Sequence, residues 1–185
     1  GRYLVGMATG DYRAAAAVER GVSPAARAAA LILAGDHSAA LALVNQKIPA
    51  PGRDPGDNVV AAFVCVHAAA SARGLSEPVN LVRRALGYLD GAPLSPGPDF
   101  ISALAAYVGA AIMLMLPEVF GARERGRELM GRTIAALGSA TLDPWPAWAE
   151  AGVKEAAGRM AERAEKFLAG PGTVRRSQPK KRGKR

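Results

Sequence analysis

Cysteine, histidine and aromatic residues are all scarce in this chain. Cys65 is the one cysteine, so an internal disulfide is excluded and a reducing, cytoplasmic setting is the expectation. Only two histidines, His37 and His67, are available as general bases. No paired-carboxylate, Ser-His-Asp or HExxH pattern accompanies them. Aromatic residues make up 5% of the chain, so alanine, leucine and valine must supply most of any core. Strand-favouring β-branched runs are few, and no secretory signal pattern is visible at the start. A non-enzyme without cofactor or metal is therefore expected.

What the chain has in quantity is alanine, the strongest helix former, within a composition that is 50% hydrophobic. The fold class expected is all-α. Glycine, proline and capping residues divide the sequence into helices at about 2–9, 11–20, 23–34 and 36–47, with Asp11, Ser23 and Asp36 as N-caps. A Pro/Gly-rich loop covers 48–57. Asp57 is then read as the cap of a helix to about Arg73, and Ser76 as the cap of another to about Leu89. A second loop, "GAPLSPGP" (91–98), marks a sub-boundary. Asp99 caps the next helix, and two more follow at about 121–138 and 144–169.

The segment Phe100–Leu116 holds no charge over its 17 residues, at the lower end of what spans a bilayer. It is rich in Ala, Gly, Ser and Tyr, and a helix buried on most sides gives the same pattern. A buried helix is expected, and a membrane partner is not.

Two phrases nearly coincide: "GDYRAAAAV" at 10–18 and "GDHSAALAL" at 35–43, offset by 25 residues. Gly-Asp turns between short alanine-rich helices are a sign of helix–turn–helix repeats. The phrases "GDYRAA" and "GDHSAA" resemble the tetratricopeptide repeat family, mainly over residues 1–47, although the offset is shorter than the family's 34. That resemblance implies antiparallel helix pairs stacked as a short array that holds a partner protein in a groove. Under it, Gly10–Asp11 and Gly35–Asp36 occupy equivalent turns, with Ala14, Ala15, Ala39 and Ala40 at close contacts.

The last helix carries an apolar stripe, Ala149, Val153, Ala156, Met160, Ala164 and Phe167, and the i,i+4 pairs Glu150/Lys154, Glu155/Arg159 and Glu162/Lys166. This amphipathic helix is expected to close the array, with Trp145 and Trp148 docking its first turn. Residues 1–170 are thus read as a helical-repeat domain.

Residues 171–185 are read as a disordered basic tail. It holds Arg175, Arg176, Lys180, Lys181, Arg182, Lys184 and Arg185 and no acidic residue. Subtracting those seven charges from the net +8 leaves +1 for residues 1–170, so the basic character belongs to the tail. The seven residues are the candidate contact for nucleic acid or an acidic partner, without an aromatic to stack on bases.

Two further patterns carry little chemistry. "GRELMGRT" (126–133) has the spacing of a phosphate loop, but strong helix formers fill it and no strand precedes it. Cys65 and His67 lie two apart, pointing away from each other on a helix. The function expected is a non-enzymatic adaptor binding another protein. The alternatives are a nucleic-acid-associated protein acting through the tail, and a small-molecule binder or enzyme with an apolar inter-helix pocket.

Overall fold

The structure, a computed structural model, describes residues 1–91, 94–97, 99–139 and 147–169. The described residues are all-helical, with no β-strand. In chain order the helices are α1 (Arg2–Thr9), α2 (Tyr12–Ala16), α3 (Pro24–Leu33), α4 (His37–Lys47), α5 (Pro55–Ser71), α6 (Ser76–Gly91), α7 (Phe100–Met115), α8 (Arg123–Ser139) and α9 (Ala147–Ala169), with a 3₁₀ turn over Glu118–Phe120. Consecutive helices pack as pairs from α1 to α6, and again from α7 to α9. The two runs meet where α5 packs on α7.

The repeated phrase forms the same turn twice. Gly10 and Gly35 adopt left-handed conformations at φ 77° and 78°, open to glycine and strained for other residues. Asp11 (φ −82°, ψ 68°) and Asp36 (φ −94°, ψ 71°) then cap α2 and α4. Their carboxylates accept from the Ala14 and Ala39 amides at 3.1 and 3.0 Å. Ala15 and Ala40 follow at the same register and are completely buried. Ala14, by contrast, is exposed and Ala39 half-buried. In short helices one alanine of each pair faces inward and its neighbour turns about 100° away.

Three helix limits depart from the expected ones. The second helix stops at Ala16 rather than near Arg20. Arg27, reaching back from α3, donates its Nε–H to the Ala16 carbonyl at 2.9 Å and pairs with Glu19 at 3.2 Å. A side chain thus satisfies a carbonyl that a further turn of helix would have used. At α5 the cap is Asp54, whose carboxylate accepts from Gly56 and Asp57 at 2.8 and 3.3 Å, with Pro55 at the first helical position. Asp57 lies in the first turn instead of capping it, and burial followed by the adjacent Asp54 charge raises its pKa. Ser76 is the first helical residue of α6.

The main core joins α3, α4, α5, α6 and α7. Ala61, Ala62, Val64 and Cys65 of α5 are completely buried, because α5 packs against α3, α4, α6 and α7 at once. Two polar groups fasten the loop between α4 and α5. The buried Asn58 amide pairs with both backbone groups of Gly52, at 2.8 and 2.9 Å. The buried Tyr88 hydroxyl of α6 donates to the Ile48 carbonyl at the end of α4, and Arg84 donates to that hydroxyl at 2.9 Å and to Asn45.

Asp99 caps α7 through the Ser102 amide at 2.8 Å and hydroxyl at 2.6 Å, and those hydrogen bonds lower its pKa. Phe100, Ala103, Ala106, Ala110 and Met113 are buried along α7, while Ile101 and Met115 reach solvent. No helix among the described residues is long and apolar enough to cross a membrane. Beneath α9, Ala164 is buried with Leu129 and Met130 of α8, and Met160 packs against the cluster of Phe100, Ala103 and Leu137. The Glu155–Arg159 pair forms on its outer side. Trp145 lies outside the described residues, as does the side chain of Trp148.

The first turn region also fixes how closely α1 and α2 approach. A Cβ on Gly6 would sit 2.9 Å from the Ala15 nitrogen and 2.9 Å from the Asp11 carbonyl oxygen, both backbone atoms that cannot swing aside. Gly6→Ala should therefore lower stability by about 1–3 kcal/mol despite alanine's better helix propensity. Denaturant unfolding of the two proteins checks this; an unchanged or raised midpoint would show that α1 is not held against α2.

Candidate functional site

The seven basic residues read as a contact arm, Arg175 to Arg185, lie outside the described residues. Three other places have the shape or chemistry to be a site. The phosphate-loop pattern is not one of them. Residues 126–133 form the interior of α8, where Gly126 abuts Met113 and Leu114, and the Thr133 hydroxyl is buried, donating to the Leu129 carbonyl at 2.7 Å.

A concavity of about 850 Å³ lies along α1 and α2 and the turn that follows. Val5, Gly6, Ala14, Ala17 and Val18 give it an apolar floor, and Arg2, Asp11, Glu19 and Arg20 give it a charged rim. Val5 is 62% exposed and Leu4, next to it on α1, 67%. The short α2 is what opens this groove, since ending the helix at Ala16 leaves Ala17 and Val18 to line it. Next to the groove α1 is tied to α3 by the Tyr3 hydroxyl, which donates to the Ala26 carbonyl at 3.1 Å. Burial raises the pKa of that phenol.

A smaller cleft of about 300 Å³ lies between α5 and α7, walled by Val59, Val60, Phe63, Ile101, Leu104 and Val108. No titratable side chain lines it, so it can hold an apolar group but cannot move a proton.

The third place brings together two residues that sequence spacing keeps apart. His37, at the first position of α4, meets His67 of α5 edge-on, with ring centroids 5.6 Å apart and planes at 67°. Phe63, one turn earlier on α5, covers the His67 ring at 4.3 Å. Ser71 Oγ lies 3.1 Å from His37 Nδ1 and donates back to the His67 carbonyl at 3.4 Å. Beside them is a cleft of about 300 Å³, whose lining includes His37, Ser71, Arg73 and Glu77. Cys65, two residues away, is fully buried, and that burial raises its thiol pKa.

Among the described residues no group of three or more His, Cys, Asp or Glu side chains is arranged around a metal. The pairing of two histidines 30 positions apart left no signal in the sequence except their scarcity. Compared with protein-family models, curated proteins and solved structures, the chain matches none.

Burial, and after it the neighbouring His37, lowers the His67 pKa. The unfolded chain therefore takes up this proton first as pH falls. The stability attached to a neutral His67 is full above about pH 6.5 and is lost as pH drops through that value toward the lowered folded one. Thermal unfolding of wild type and His67→Gln between pH 7.5 and 5 checks the sign. The wild-type advantage should shrink on acidification, and a constant or growing advantage would contradict it.

Proposed function

We propose that this chain is a helical adaptor without catalytic activity, which holds a partner protein in the groove along α1 and α2. The observation that carries this reading is the exposed apolar strip of Leu4 and Val5 beside an apolar floor rimmed by both signs of charge. Exposed apolar surface of this kind is costly to leave in water and marks interaction sites. The resemblance of "GDYRAA" and "GDHSAA" to tetratricopeptide turns supports it, since the two turns share one geometry. The partner segment that fits is amphipathic, with an apolar face for Val5 and Val18 and charges for Arg2 and Arg20.

A second reading rests on the tail. Seven basic residues within 171–185, beside a body of net charge +1, suit a sequence-tolerant contact with nucleic acid. The α5–α7 cleft keeps a third reading, binding of a small apolar ligand.

Partner capture with three proteins separates these readings: wild type, Val5→Glu, and a chain ending at residue 170. The adaptor reading expects a protein partner lost from Val5→Glu, with its melting temperature unchanged, and kept by the shortened chain. Nucleic-acid binding that disappears on removing 171–185 would favour the tail instead. It should fall with salt by about 0.7–0.9 in log affinity per phosphate per decade, over at most seven phosphates. A partner insensitive to Val5→Glu would overturn the groove.

A further inference from the structure

We infer that His37 and His67 form a two-imidazole site for a late first-row divalent cation such as Zn²⁺ or Ni²⁺, bridging α4 and α5. The inference is independent of the adaptor reading and uses a different face of the molecule. Its basis is geometric. At a metal–nitrogen distance of about 2.0–2.1 Å and a tetrahedral angle, two ligating imidazoles place their ring centroids roughly 5 Å apart. The observed separation is 5.6 Å.

The surroundings of the pair prepare its nitrogens for the task. With its hydroxyl proton directed to the His67 carbonyl, at 3.4 Å, Ser71 can accept from His37 at 3.1 Å in the tautomer that carries the proton on Nδ1. In that tautomer Nε2 of His37 holds the free lone pair. A ligating histidine whose other nitrogen is held by a hydrogen bond is the usual outer-shell arrangement, fixing ring orientation. Phe63 restrains the other ring, packing on His67 at 4.3 Å. The adjoining cleft of about 300 Å³ is lined by His37 and Ser71 but not by His67, so water reaches the pair from the His37 side. Arg73 and Glu77, of opposite sign, both line it and leave its field near balance.

Imidazole selects zinc, nickel and copper over magnesium and calcium, which require oxygen donors. Because the two ligands come from different helices, an ion bound there clamps α4 to α5 and stabilises the folded chain by mass action.

The test is calorimetric titration of the full chain, free of any affinity tag, with Zn²⁺ and separately with Mg²⁺. One zinc ion per chain, an upward shift of the melting temperature and no response to magnesium are expected. His37→Gln and His67→Gln should each weaken zinc binding at least tenfold and abolish the thermal shift. His67 is half-buried against Phe63, so His37→Gln with an unchanged helical spectrum decides the matter if the other variant fails to fold. Absence of zinc binding, or binding undiminished in His37→Gln, would overturn the site.

Discussion

Four helices press on α5 at once, and they can do so because its contact surface is made of small side chains. Ala61, Ala62, Val64 and Cys65 expose nothing to solvent, and α3, α4, α6 and α7 all pack on the helix that carries them. An alanine methyl contributes only about 0.8 kcal/mol on burial, against about 1.5–3 for a leucine or phenylalanine. The core therefore relies on many close backbone approaches and a few large anchors such as Tyr88, Leu89 and Met113. Such packing has little room for added volume. It also makes the α5 position a condition for everything around it: the His37–His67 contact, the apolar cleft toward α7, and the loop fastened by Asn58.

Distance from α5 orders the rest of the chain. The α1–α2 pair touches the other helices through α3, and the small cluster of Ala15, Ala16 and Ala30 is separate from the main core. An element held by so little buried area can expose Leu4 and Val5 without the fold depending on covering them. The groove proposed for a partner lies there, at the end with least internal packing, where binding energy can order the structure further.

Most helix limits could be read from the sequence because they are set by local chemistry. Aspartate or serine caps at 11, 23, 36 and 99, with glycines at 10 and 35 and prolines at 24 and 117, act within one turn of chain. The reading failed where a distant group, a competing cap or the helix phase decided the matter. Arg27 ends α2 from 11 residues downstream. At α5, the Asp54–Pro55 pair outcompetes Asp57, because a proline at the first helical position needs no amide partner. The inward alanine of each Gly-Asp turn required the true helix phase, which five residues of α2 do not reveal. The candidate sites were less legible. Composition alone located the basic tail, whereas Asn58 and the histidine pair carry no periodic or motif signal and become visible only once α4 lies on α5.

This packing makes α5 the last element to open and the α1–α2 pair the first. Native-state hydrogen exchange measures this directly. Amides of Ala61 to Ala68 should exchange only through global unfolding, with free energies equal to that of the whole domain. Those of α1 and α2 should exchange through smaller openings, at clearly lower free energy. Protection of α1 and α2 equal to that of α5, or earlier opening of α5, would overturn this order of opening.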